Sequence, residues 1–250
     1  MTSTTIHRVQ VPQTLDTEST TKLADTIERA IAEPRGVIVL VGGEGTFCRG
    51  ADFVSLLAAD DAGRLPIECA RSLDAFVRCV WLIRSCHKPV IAAVDGEALA
   101  GGVGIAAACD LVIASERSTF GLPEALFGLV PAITLPVLLE RMTPQKARLA
   151  TMSAGSYSAA EAHTMGLVDV VTSADTLEAT MRGHARALAR ASADVVSTLK
   201  RLRGSLALPE GRAALERGAE MTRALLQSAP VGHAIREFMV AGGRLPWETR

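Results

Sequence analysis

Apolar Leu23, Ile27, Ala30 and Ile31 recur at helical spacing, so Lys22–Glu33 predicts a helix, which Pro34-Arg35-Gly36 stops. Val37–Val41 is then an unbroken apolar run of strand length, the pattern of a strand covered on both faces. Glu68–Ser85 predicts an amphipathic helix with Leu73, Phe76, Val77, Val80 and Trp81 on one stripe. Lys88-Pro89 breaks it, because the residue before a proline avoids helical backbone. Val90–Val94 repeats the buried-strand pattern, and Asp95-Gly96 turns the chain. Ala100–Cys109 reads as a closely packed helix of small residues, and Asp110 precedes a third strand, Leu111–Ala114. This alternation of strand and helix is that of an α/β domain.

Beyond residue 140 the pattern is mostly helical. Thr143-Pro144 reads as an N-cap followed by proline at the first helical position. Ser158…Glu161 and Asp175…Glu178 have capping-box spacing, with one short strand, Leu167–Val171, between them. Helices over 209–228 and 231–241 complete the C-terminal third.

Composition narrows the class. With 26 basic and 27 acidic residues the net charge is −1, so a global basic field for nucleic acid is absent. Aromatics are only 4%, too few for a base-stacking platform. Five cysteines, an odd number without a CxxC pair, predict buried reduced thiols rather than disulfides or a zinc site. Met1–Gln10 has no apolar core of a signal peptide. The longest apolar stretches, 98–109 and 127–139, fall short of the roughly 20 residues of a membrane span. The expectation is a cytoplasmic protein without nucleic-acid or membrane partners.

Three glycine-bearing turns follow strands: Phe47–Phe53, Gly96–Gly104 and Phe120–Glu124. Glycine there lets backbone approach a ligand, and free N–H groups at such turns bind anions. Tight packing explains the glycines equally well. Gly101-Gly102-Val103-Gly104 lacks the GxGxxG spacing of a dinucleotide fingerprint, and no phosphate-loop lysine follows it.

In their order, these segments resemble the crotonase (enoyl-CoA hydratase/isomerase) superfamily. The matching text is Phe47–Phe53, Lys88–Gly96, Ala98–Gly102, Cys109–Ala114, Phe120–Glu124 and Ala160–Asp169, nearly the whole chain. The resemblance implies a spiral of ββα units over 1–190 and a helical C-terminal region, 191–250, that forms trimer or hexamer contacts. It also implies an oxyanion hole of two backbone N–H groups, at Ala51 and Gly101 by position, for a thioester carbonyl. Hydratases of the superfamily carry two catalytic glutamates. Here Glu124 occupies the second position, while the first falls on Gly104, which has no side chain. A single carboxylate must then do both tasks, share them with another group, or catalyse a simpler proton shift. If the missing side chain makes room for a branched β-substituent, a side chain at 104 is expected to obstruct it.

A finer resemblance lies in Glu124–Ala132, Leu135–Arg141, Gln145–Ala147 and Leu245–Glu248, with Ala132-Ile133-Thr134-Leu135-Pro136 after Pro131 in place of the usual glycine-rich run. It is similar to the dehydratases of polyketide β-branching cassettes. These remove water from a 3-hydroxy-3-methylglutaryl-type thioester on an acyl carrier protein. The implied activity is a lyase reaction in which Glu124 takes the α-proton. An enoyl thioester isomerase and a decarboxylase remain alternatives. The resemblance implies no cofactor or metal, the pantetheine arm belonging to the substrate. Lesser candidates are Arg49, for a phosphate or carboxylate, and Asp52 beside the oxyanion motif. Tyr157 is a substrate donor or a turn residue, and His233 a proton aid or a surface histidine. Segment 182–223 holds nine basic and four acidic residues and predicts a docking face for an acidic carrier, tightest at Lys200–Arg203.

Overall fold

The computed structural model describes residues 5–43, 45–207 and 210–240. The chain opens with β1 (Ile6–Gln10), α1 (Thr17–Ala32) and β2 (Val37–Val41). Then come β3 (Thr46–Cys48), α2 (Phe53–Asp61), α3 (Leu65–Ser85), β4 (Val90–Val94), β5 (Glu97–Leu99) and α4 (Gly101–Ala108). β6 (Leu111–Ser115) and β7 (Thr119–Gly121) lead into a 3₁₀ turn, Pro123–Phe127. α5 (Thr134–Leu138), α6 (Pro144–Ser153), β8 (Ser156–Ser158), α7 (Ala159–Met165) and β9 (Val170–Thr172) follow. The rest is helical: α8 (Leu177–Leu188), α9 (Ala193–Ala207), α10 (Arg212–Leu226) and α11 (Ala229–Val240).

Five strands form a parallel sheet in the order β1-β2-β4-β6-β9. Its apolar runs are apolar because both faces are covered. Ile38, Leu40, Val90, Ala92 and Val112 face the main core, while Val37, Val39, Ile91 and Ile113 lie under Met181 and Ala185 of α8. A second sheet runs β3-β5-β7-β8, parallel except for β8. Three times, then, the chain lays a strand in the first sheet (β2, β4, β6), a three-residue strand in the second (β3, β5, β7), and a helical segment. This is the spiral of ββα units.

Small residues hold the turns of the spiral together. A Cβ on Gly102 would strike the Cys48 carbonyl, so α4 packs directly on β3. All five cysteines are buried free thiols, and burial pushes that of Cys48 up to about 11, which leaves it inert at neutral pH.

Several boundaries differ from the pattern in the sequence. The first helix starts at Thr17, where Asp16 caps the Ser19 N–H at 2.6 Å and Ser19 returns the bond. The capping box at Ser158 and Glu161 forms. That at Asp175 and Glu178 does not: Asp175 lies inside a short 3₁₀ turn, and Glu178 pairs with Arg8 and Arg182 instead. The predicted strand Leu167–Val171 is displaced to Val170–Thr172, because the Asp169 carboxylate bonds the Val112 N–H and Arg141 ahead of it. The last predicted helices reach residues 209 and 241, and the motif Leu245–Glu248 follows; these positions lie outside the described residues.

The basic stretch at Lys200–Arg203 is not an open docking face. Lys200 is buried, donating to the Ile83 carbonyl at 2.9 Å and pairing with Asp110 at 2.7 Å. Arg203 reaches Asp110 and Glu140, both at 3.4 Å, and Glu140 also pairs with buried Arg84. These charges fasten α9 to the core.

Candidate active site

In the second sheet Cys48 lies beside Ala98, after a register shift in β3, and Leu99 beside Gly121. Just beyond these last pairs come Ala51, Gly101 and Glu124, each two to three residues past a strand end. Three adjacent parallel strands thus deliver three groups to one edge, the carboxyl end where parallel sheets place ligands.

The first loop is pinned around Ala51. The Leu15 N–H donates to the Gly50 carbonyl at 2.8 Å, and the Asp52 N–H donates to the Leu15 carbonyl at 3.1 Å. The Ala51 N–H between them has no acceptor among the described residues. Gly50 has φ +80°, and a Cβ on it would lie 2.7 Å from the Ala100 Cβ and 3.1 Å from the Gly101 nitrogen. Only glycine lets the two loops meet this closely.

The second loop carries strain. Ala100 has φ +50° and ψ −118°, a conformation costing a residue with a Cβ about 1–3 kcal/mol. Its N–H is held by the Gly121 carbonyl at 2.8 Å, and its carbonyl accepts from the Gly104 N–H at 3.2 Å. The Gly101 N–H, at the first position of α4, is left without an acceptor among the described residues. Two N–H groups without acceptors among the described residues, one at the positive end of a helix, can donate hydrogen bonds to a negatively charged oxygen.

Glu124 sits in the 3₁₀ turn that Gly128 closes at φ +71°. The turn is anchored by Phe127, whose ring meets Phe53 and Phe238 edge-on at 4.9 and 5.0 Å. Glu124 Oε2 is sealed from solvent and has no hydrogen-bond partner among the described residues. Burial pushes its carboxyl up to about 7, the reverse of what an exposed acid at a helix start would show.

The space over Gly104 is taken. A Cβ there would lie 2.6 Å from Thr134 Oγ1 and 3.1 Å from Phe76 Cζ. Thr134 of α5 thus stands directly beside Gly104, and a glutamate at 104 does not fit without moving it.

The remaining candidates have other partners. The Arg49 guanidinium pairs with Glu97 at 2.7 Å on the surface. The Asp52 carboxylate caps α2, accepting from the Val54 and Ser55 N–H groups at 3.0 and 3.3 Å. The Tyr157 hydroxyl bonds Ser153 Oγ at 2.9 Å, and its ring borders an apolar void of about 10 Å³ with Phe120 and Met142. His233 has a 70% exposed side chain and pairs with Glu237 at 2.9 Å. The structure places Ala51, Gly101 and Glu124 just past the ends of adjacent strands, with Gly104 one turn along α4, and gives Arg49, Asp52, Tyr157 and His233 other partners.

The family model for enoyl-CoA hydratase/isomerase matches residues 1–242. The bacillaene synthase dehydratase PksH of Bacillus subtilis is 29% identical over 248 residues, covering 98% of this chain and 92% of that protein. Mevalonyl-coenzyme A hydratase sidH of Aspergillus fumigatus is 37% identical over 166 residues, 66% of this chain and 60% of its own length. The matched region spans only 29% of the peroxisomal multifunctional protein AIM1 of Arabidopsis thaliana. Among solved structures, that of the polyketide biosynthesis enoyl-CoA hydratase pksH from Bacillus subtilis superposes with a TM-score of 0.83 at 24% identity, over 96% of this chain and 95% of that one, a likeness of fold.

Proposed function

This chain belongs to the enoyl-CoA hydratase/isomerase family, and from that premise we propose that it is a lyase removing water from a β-hydroxyacyl thioester. The observation that carries the reading is one strand edge presenting two unsatisfied N–H groups and one sealed carboxyl. The thioester oxygen sits between the Ala51 and Gly101 N–H groups. Glu124 takes the α-proton, and the charge moves onto that oxygen as an enolate. Each preorganised donor is worth about 3 kcal/mol to such a charge. A carboxyl near 7 is matched to proton transfer at neutral pH. The enolate then collapses to the α,β double bond, the β C–O bond breaks, and the proton on Glu124 leaves with the hydroxyl as water.

Support for dehydration, rather than isomerisation or decarboxylation, comes from PksH, a dehydratase matched from end to end. It also supports the finer reading, a 3-hydroxy-3-methylglutaryl-type group on an acyl carrier protein in polyketide β-branching. The mevalonyl group named in sidH likewise carries hydroxyl and methyl on one β-carbon. The acyl carrier protein is the proposed partner, the pantetheine arm arrives with it, and the assembly is a homotrimer or hexamer.

The test is to incubate the protein with 3-hydroxy-3-methylglutaryl-carrier protein and weigh the product. Loss of water is expected; loss of carbon dioxide, or no change in mass, overturns the reading. Glu124→Gln, nearly isosteric, should lower turnover by about two to four orders of magnitude.

A further inference from the structure

Thr134 opens α5 and is 3% exposed, with buried Ile133, Val137 and Leu138 as neighbours in sequence. A helical threonine commonly returns its hydroxyl to a carbonyl one turn back. Thr21, Thr26, Thr151, Thr164 and Thr222 all do so here, at 2.7–3.0 Å. Thr134 does not. The carbonyls before it, Val130 and Pro131, accept from the Ala132 and Leu135 N–H groups, both at 2.8 Å, and Thr134 Oγ1 bonds no described residue.

The position of that hydroxyl is the second observation. It lies 2.6 Å from where a Gly104 Cβ would be, while Phe76 lines the would-be Cβ positions of both Gly101 and Gly104, at 3.4 and 3.1 Å. Gly104 is thus one helical turn along the same α4 wall from the Gly101 N–H. A thioester whose carbonyl oxygen rests on that N–H has its β-carbon two bonds beyond the carbonyl carbon. Thr134 Oγ1 is a polar group on that wall.

We infer that Thr134 is a catalytic residue whose hydroxyl donates a hydrogen bond to the departing β-oxygen. The inference rests on the dehydration proposed above and assigns the group that assists C–O cleavage. No proton is lost by the threonine. The α-proton taken by Glu124 goes to the leaving oxygen, the C–O electron pair leaves with that oxygen, and the Thr134 O–H bond holds the growing negative charge meanwhile. α-Proton removal itself does not need this group, and the two steps can be read separately.

The experiment compares wild type, Thr134→Val and Thr134→Ser on two pantetheine thioesters. With 3-hydroxy-3-methylglutaryl-pantetheine, water loss is followed by mass. With 3-methylglutaryl-pantetheine, which has no hydroxyl to lose, α-hydrogen exchange is followed in deuterium oxide. Thr134→Val should slow dehydration by about ten- to a hundredfold, the range for one hydrogen bond to a developing charge, and leave exchange within about twofold. Thr134→Ser should keep dehydration within about threefold of wild type. Equal loss of both reactions in Thr134→Val, loss of neither, or a serine variant as slow as the valine one overturns the role of Thr134 while the dehydratase reading stands. Wild type that exchanges but does not dehydrate overturns that reading, and the role of Thr134 with it.

Discussion

Glu124 keeps its proton up to about pH 7 because burial strips water from its carboxyl and Oε2 finds no donor among the described residues. Two outcomes follow. As a general base it must be ionised, so kcat/KM should rise with pH through a limb near 7, where an ordinary carboxylate would give one near 4.5. For stability the sign is opposite. The folded pKa lies above the unfolded 4.5, so the folded state binds the proton more tightly. That contribution is full below pH 4.5 and is lost as pH rises toward 7. Denaturant titrations at pH 4 and pH 8 should show Glu124→Gln gaining on wild type between them, by at most about 3 kcal/mol. A difference that does not change with pH would mean that the carboxyl titrates as it does in water.

Helix α9 is fastened by charge, and its energetics should show it. Arg84, Lys200 and Arg203 share Asp110 and Glu140, and Glu140 is buried with Arg84. Glu140→Gln leaves buried cations with one anion fewer, at a cost of about 3–5 kcal/mol, to be read as a lower denaturation midpoint. In the sequence Lys200 and Arg203 read as part of a docking face, because a run such as Lys200-Arg201-Leu202-Arg203 does not reveal that Asp110 and Glu140 wait beneath it. The same limit explains what else was legible. Val37–Val41 and Val90–Val94 announce themselves because full burial on two faces makes them apolar throughout. Ile6–Gln10, an edge strand with Arg8 and Gln10 exposed, does not, and three residues such as Glu97–Leu99 carry no period at all. Glu124, Ala51 and Gly101 were found through the family's motifs; Thr134 stood in a quoted motif, but its hydroxyl gained meaning only when α5 was seen over Gly104.

At the scale of the whole molecule, α9 turns Val195, Leu199, Leu202 and Leu206 outward, each at least half exposed, at the spacing of a single stripe. We propose that this apolar stripe is a contact with another copy of the chain. In keeping with the proposed assembly, light scattering should give three or six times the 26.3 kDa of one chain. Leu199→Lys with Leu206→Lys should lower that mass; a monomeric wild type would leave the stripe without this role. The coil that ends at the site has another consequence. Its successive turns each contribute one component, Ala51, Gly101 or Glu124, from the end of a separate short strand. An altered residue on one turn leaves the other two contributions in place. A lineage built on this coil can therefore exchange one chemistry for another in single mutational steps, inheriting the cradle for the carbonyl while the opposite wall is rewritten, and glycine at 104 beneath a threonine at 134 has the form of such a rewriting.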